Sequence, residues 1–156
     1  MKDGSLEDIK EFLATKRLAI VGVSRDPRHF SRGLFRGFLA QGYDAVPVNP
    51  QAKEIEGRAC VAGVADITPP VDAALLMTPA ATTDQALREC HQAPVKQIWI
   101  YRTGRDGEAH ERAVESCRKR GSTVIEGYCP FMFLPSPVFF HRVHRFFMKV
   151  AGSYPL

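Results

Sequence analysis

Short apolar, β-branched runs alternate along this chain with stretches of helical period, and that alternation constrains the fold more than any other feature. Leu18-Ala19-Ile20-Val21-Gly22-Val23 is apolar throughout and carries a glycine near its end, the pattern of a strand buried on both faces. A polar loop from Ser24 to Phe30 follows. Leu34, Phe35, Phe38 and Leu39 then fall on one side of a helix that Ser31 can cap and Gly42 can stop. Ala45-Val46-Pro47-Val48 reads as a second strand, and its proline, which has no N–H, points to a sheet edge or a strand end. Residues 71–77, 97–101 and 123–126 supply three more strands. Helices over 82–91 and 107–120 separate them, the second with Ala113, Val114 and Cys117 as its inner face. Strands alternating with helices of this length imply right-handed crossovers, and hence an α/β fold in three layers: a five-stranded parallel sheet flanked by helices. A capped helix over about residues 6–15, with Ser5 and Asp8 at its start and Ile9, Phe12 and Leu13 at helical spacing, is expected to brace the fold from outside.

With 156 residues the expectation is one domain over 1–156, its core about 18–130, ending in an aromatic and basic helical tail over 137–150. A content of 45% hydrophobic and 24% charged residues argues against disorder, and 12 Gly with 11 Pro exclude a collagen-like repeat. No apolar run approaches the roughly 20 residues of a membrane-spanning helix, and the first eight residues hold no signal-like apolar stretch. A soluble, cytoplasmic protein is therefore expected. The cysteines at 60, 90, 117 and 129 lack C-x-x-C spacing and read as free thiols of a reducing cytosol. The 21 Lys and Arg against 17 Asp and Glu leave a net charge of +4. That excess does not identify a nucleic-acid binder, and no nucleic-acid partner is expected; it is compatible with an anionic small ligand.

Ligands of open parallel sheets sit beyond the carboxyl ends of the strands, near the point where strand order reverses. The residues after the five strands are Gly22, Val23 and Ser24; Val48, Asn49 and Pro50; Thr78, Pro79 and Ala80; Arg102, Thr103 and Gly104; and Gly127, Tyr128, Cys129 and Pro130. None is Asp, Glu or His, which favours binding over catalysis, and no catalytic or metal-ligating residue is assigned. The loop from Gly22 to Ser31 enters a helix N-terminus, where N–H groups and the helix dipole attract phosphate, and Arg25, Arg28 and Arg32 add positive charge. It departs from G-x-G-x-x-G at the second and third glycines, so the dinucleotide fingerprint is not matched. A strand-ending glycine followed by a serine-capped helix accounts for the same spacing. Where NAD-dependent enzymes carry an acidic residue after the second strand, this chain has Val48-Asn49-Pro50 and then Lys53. An amide and a lysine suit a phosphorylated ribose better than a free diol; a plain Asn-Pro turn is the other reading.

The segment Ala19-Ile20-Val21-Gly22-Val23-Ser24, then Gly42-Tyr43-Asp44-Ala45-Val46-Pro47-Val48-Asn49-Pro50, then Glu54-Ile55-Glu56-Gly57 resembles the CoA-binding protein family. These are small Rossmann-type domains related to the CoA-binding domain of the succinyl-CoA synthetase alpha subunit. The resemblance spans about Leu18 to Pro130, with Pro47-Val48-Asn49-Pro50 its most specific part and Cys129-Pro130 a weaker match. It implies that the first loop receives CoA phosphates at Gly22, Val23, Ser24, Arg25 and Ser31. It also implies contacts to the adenosine end from Val48, Asn49, Pro50 and Lys53, and a third loop over the ligand with Thr78, Pro79 and Thr82. The chain departs from many relatives at Met77-Thr78-Pro79-Ala80-Ala81-Thr82, where they carry an apolar-aromatic-Arg-x-x segment. The phosphohistidine region of the synthetase has no counterpart, so ligase chemistry is not implied. The diphosphate and 3′-phosphate of CoA, about four negative charges, match a helix N-terminus with nearby Arg and Lys.

The resulting expectation is a non-catalytic Rossmann-type protein that binds CoA or acyl-CoA. The alternatives are an NAD(P)-linked oxidoreductase and a protein-interaction module with a vestigial nucleotide pocket. Read as a helix, the tail groups Phe139, Val143, Phe146, Phe147 and Val150 on one face and sets Arg142, Arg145 and Lys149 elsewhere. Such a face packs on the domain or on a second copy in a homodimer, or else contacts a membrane surface. Cys129 reads as a simple buried thiol, and His141 with His144 as a surface pair.

Overall fold

A capping box opens the first helix, α1 (Leu6–Ala14): the Ser5 hydroxyl accepts the Asp8 N–H, and the Asp8 carboxylate accepts the Ser5 N–H at 2.7 Å. The computed structural model describes residues 4–101 and 107–134; the tail with His141 and His144, and the loop residues Arg102, Thr103 and Gly104, lie outside the described residues. In chain order follow β1 (Arg17–Val21), α2 (Phe30–Ala40), β2 (Asp44–Val48), a hairpin of β3 (Glu54–Ile55) and β4 (Arg58–Ala59), and a 3-10 turn at Val64–Asp66. Then come β5 (Ala73–Leu76), α3 (Ala80–Gln92), β6 (Gln97–Ile100), α4 (Glu108–Lys119), β7 (Thr123–Glu126) and a second 3-10 turn at Pro130–Met132.

The five expected strands form one parallel sheet in the order β2-β1-β5-β6-β7. Period-two alternation sorts their side chains into two cores. Leu18, Ile20, Leu75, Trp99 and Ile125 belong to one, with Leu34, Phe35 and Phe38 of α2. Ala19, Val21, Leu76, Ile98, Ile100 and Val124 belong to the other, with Leu87 and Cys90 of α3 and Val114 and Cys117 of α4. The result is the three-layer, Rossmann-like α/β arrangement.

Pro47 fits its place because β2 is the edge of the five-stranded sheet. Its carbonyl accepts the Val61 N–H at 3.1 Å, and the Asn49 N–H donates to the Val61 carbonyl at 3.0 Å. Val61 thus makes a one-residue parallel bridge to Val48 outside β2. Counted as a strand, that bridge gives the order 3-2-1-4-5-6 of a dinucleotide-binding sheet, with the reversal between β1 and β5.

The first helix corrects one expectation. Rather than bracing the fold from outside, α1 buries Ile9 and Phe12 in the core, where the Phe12 ring meets Trp99 edge-on at 5.2 Å. The reason is a count of covering elements: α3 and α4 both pack on one face, leaving α2 alone on the other. Helix α1 fills the bare half of that face beside β7. The third helix begins at Ala80, two residues before the expected start, so Thr82 lies inside its first turn.

Candidate functional site

At the reversal point the β1 and β5 loops touch, and the contact requires glycine. Gly22 has φ +88°, and a Cβ there would lie 2.9 Å from the Met77 carbonyl oxygen and 3.1 Å from the Thr78 nitrogen. The ladder continues one residue past four strand ends, through Gly22 N–H to Val48 C=O, Met77 N–H to Val21 C=O, Tyr101 N–H to Leu76 C=O and Gly127 N–H to Ile100 C=O. The starts of the loops therefore stand side by side. Asn49 joins two of them: its side-chain N–H donates to the Val23 carbonyl at 2.9 Å, while Oδ1 accepts the Gln51 N–H at 2.8 Å. The second contact is the local turn that the Asn-Pro reading anticipates.

In the β1–α2 loop most polar groups bind each other. The Ser24 N–H donates to Ser31 Oγ at 2.9 Å, the Asp26 N–H to Ser24 Oγ at 3.1 Å and the Arg28 N–H to Asp26 Oδ1 at 2.9 Å. Here a second expectation is corrected, because His29 and not Ser31 caps α2. The helix begins at Phe30, so His29 Nδ1 is the acceptor within reach of the Ser31 N–H, at 3.2 Å. Ser31, fully buried, turns its hydroxyl toward the loop.

Arg32 clamps the same loop. Its Nη1 donates to the Ser24 and Arg25 carbonyls at 3.3 and 3.1 Å, and its Nε and Nη2 meet Glu56 Oε1 at 3.1 and 2.5 Å. Arg36 reaches the same oxygen at 2.8 Å. The Arg32 hydrogen bond holds the Glu56 carboxyl below the usual carboxylate range; burial opposes the shift and Arg36 adds to it. Glu56 and Gly57, at φ 51° and 74°, form the two-residue turn of the β3–β4 hairpin. Of the basic residues gathered by sequence at this loop, Arg32 is thus a brace, and Arg28 lies 3.5 Å from Asp26. The side chains of Arg25 and Lys53 are exposed and have no hydrogen-bond or ion-pair partner among the described residues.

The β5–α3 loop is organised differently. Pro79 occupies the cap position of α3 without a side-chain acceptor, and Ala80, Ala81 and Thr82 of the first turn are exposed. The Thr78 and Thr83 hydroxyls pair at 2.8 Å, and Thr82 Oγ1 donates back to the Pro79 carbonyl at 3.2 Å. The N–H groups of Ala80 and Ala81 have no partner among the described residues. An uncapped helix start of this kind accepts anions.

Two features escaped the sequence. Phe30, 38% exposed at the start of α2, stacks on Tyr101 at 5.2 Å and meets Phe131 edge-on at 5.7 Å, an aromatic floor beside the loops. His110 of α4 lies between Asp84 of α3 and Glu126 of β7; its spacing of four and seven residues from Val114 and Cys117 was the available signal that it belongs to the inner face. At Cys129, burial pushes the thiol pKa up, against the backbone N–H groups of Phe131 and Met132. All four cysteines are free. Among the described residues no three or more His, Cys, Asp or Glu side chains are arranged to hold a metal ion, and no helix is long and apolar enough to cross a membrane.

A family described as a CoA binding domain matches residues 16–135. The alpha subunit of ADP-forming acetate–CoA ligase II from Pyrococcus furiosus is 30% identical over 125 residues, covering 76% of this chain and 27% of the subunit. The chain therefore spans about a quarter of that relative's length. The uncharacterized protein YneT of Bacillus subtilis is 28% identical over 130 residues, covering 83% of this chain and 93% of its own. Among solved structures, a hypothetical protein from Pyrococcus horikoshii OT3 superposes with TM-score 0.70 at 29% identity, over 80% of this chain and 85% of that one.

Proposed function

This chain belongs to the CoA-binding domain family, and from that premise we propose that it holds CoA or an acyl-CoA across the carboxyl ends of β2, β1 and β5 without doing chemistry on it. The observation that carries this reading is the pair of cations, Arg25 and Lys53, without partners among the described residues, on two loops joined by Asn49 beside the open start of α3. A ligand with a diphosphate and a separate ribose phosphate satisfies both cations and the free N–H groups of Ala80 and Ala81. Phe30, partly exposed beside the loops, offers an apolar surface to a pantetheine arm. No carboxylate follows β2 to take the ribose hydroxyls of NAD; Val48, Asn49 and Pro50 stand there. Of the acid–base groups at this end of the sheet, His110, Asp84 and Glu126 are largely buried and engaged with each other, and His29 caps α2 through Nδ1, which favours binding over proton transfer to a ligand.

Titration calorimetry with CoA and with dephospho-CoA tests the reading. Lys53→Ala is expected to weaken CoA about tenfold, the loss of one charge-assisted hydrogen bond of about 1.5 kcal/mol. Dephospho-CoA, lacking the 3′-phosphate, should bind wild type and variant alike. Equal weakening for both ligands removes Lys53 from the 3′-phosphate, and failure of the wild type to bind either removes the CoA reading.

A further inference from the structure

Past the backbone bond from the Gly22 N–H to the Val48 carbonyl, at 3.1 Å, the chains of β1 and β2 part into the loops that carry Arg25 and Lys53. Asn49 spans the gap at that point. Its side-chain N–H donates to the Val23 carbonyl at 2.9 Å, and its Oδ1 accepts the Gln51 N–H at 2.8 Å. Its backbone N–H donates to the Val61 carbonyl at 3.0 Å, and its own carbonyl accepts the Ala52 N–H at 3.4 Å. Each polar atom of this half-buried residue therefore has a protein partner. The two side-chain contacts make opposite demands, because a carbonyl needs a donor and an N–H needs an acceptor. A primary amide supplies both on one planar group; a carboxylate of the same shape would set an oxygen against the Val23 carbonyl.

The strut joins two segments that are each fastened elsewhere. On the first-loop side Ser24, next to Val23, donates its N–H to Ser31 Oγ at 2.9 Å, and its carbonyl accepts from Arg32 Nη1 at 3.3 Å. On the other side, the turn closed by Asn49 Oδ1 leads directly into Lys53, whose carbonyl accepts the Cys60 N–H at 2.9 Å. Fixing Asn49 to Val23 therefore fixes the base of the segment that carries Lys53 against the base of the loop that carries Arg25. We propose that Asn49 is a positioning residue that sets the spacing of these two cations. It thereby confers selectivity for a ligand with a diphosphate and a second, separate phosphate over one with the diphosphate alone. The advantage is preorganisation: a ligand that uses both cations does not have to order the second segment as it binds. The ligand half of this inference rests on the CoA reading above; the strut half does not.

Asn49→Ser separates the two side-chain contacts: a serine hydroxyl before proline can keep the local turn but lacks the second arm that reaches Val23. Asn49→Ala removes both. Calorimetry with CoA and dephospho-CoA reads the selectivity, and amide hydrogen exchange of the free protein at Gly22 and Asn49 reads the strut. In both variants CoA should bind about fivefold more weakly, the scale of one hydrogen bond, while dephospho-CoA stays within about twofold of wild type. In a Lys53→Ala background the same substitutions should affect the two ligands alike, since the cation to be positioned is gone. The Gly22 and Asn49 amides should exchange about fivefold faster in both variants than in wild type. With Lys53 present, equal weakening of both ligands by Asn49→Ser, or no change in either, overturns the selectivity role. Unchanged exchange in the variants overturns the strut. Faster exchange in the variants, with neither ligand bound by wild type, overturns the CoA reading and leaves the strut standing.

Discussion

The two loops that meet at Gly22 lead into helices of opposite character. At α2 the helix start is closed: His29 caps it, Ser31 holds the Ser24 N–H, and Arg32 grips two loop carbonyls while Glu56 neutralises it. At α3 the cap is a proline with no acceptor, and the first-turn residues Ala80 and Ala81 are small and exposed. A loop whose polar groups mostly bind each other is a stiff wall that leaves one cation, Arg25, for an anion, whereas a helix start with open N–H groups and small side chains offers its backbone. On the proposed reading the start of α3 shares the phosphates with Arg25 of the first loop. The segment from Thr78 to Thr82 consists of hydroxyls, a proline and alanines. Such residues leave backbone N–H groups accessible.

Breaking the contact between the two loops should have the largest effect. Gly22→Ala forces a side chain into a left-handed backbone position with a Cβ 2.9 Å from the Met77 carbonyl oxygen. The expected loss is about 2–4 kcal/mol of stability in urea unfolding, from strain and overpacking together, with CoA affinity falling at least tenfold. A variant as stable as wild type shows that the loops can separate without consequence. The next test is a reciprocal pair. Pro79→Asp places a capping carboxylate where a phosphate is proposed to sit. Its stability should be close to wild type, because a cap worth about 1 kcal/mol offsets the lost stiffness of proline in the unfolded chain, about 0.4–1 kcal/mol. CoA should bind it about tenfold more weakly. His29→Ala should do the converse, losing about 1 kcal/mol of stability and leaving CoA affinity within about twofold. The opposite pairing of effects makes the first loop the receptor and α3 the wall.

What the sequence made legible was local. The strand after Arg17 announces itself as an apolar run, and Pro47 pointed to an edge or a strand end because a missing N–H is a property of one residue. What it hid depends on partners far along the chain. Helix α1 shows an apolar face, but nothing near it says that α3 and α4 leave a bare patch beside β7. His110 sits 26 residues from Asp84 and 16 from Glu126, so its inward spacing was visible and its meaning was not. The β3–β4 hairpin is two residues on each side, too short for alternation to register. Arg32 counted toward the positive charge of the first loop because its charge is visible in the sequence, while Glu56, its partner 24 residues away, is not.

The Glu56 pairing supplies the smallest test and the finest division between wall and receptor. Its carboxyl, ordinarily near 4.5, is held lower in the folded protein chiefly by the Arg32 hydrogen bond. A depressed folded value means that the pairing stabilises fully above the ordinary carboxylate range and is lost as pH falls through the folded value. Glu56→Gln should therefore be less stable than wild type at neutral pH by up to about 1 kcal/mol, the scale of partly exposed ion pairs, and the two unfolding curves should converge in acid. Arg32 keeps its contacts to the Ser24 and Arg25 carbonyls in this variant, so the wall loses an ion pair and not its shape. CoA affinity should stay within about twofold of wild type. A tighter CoA complex in Glu56→Gln makes Arg32 a phosphate ligand held in check by Glu56, and adds it to Arg25 as a second cation of the first loop in the binding site.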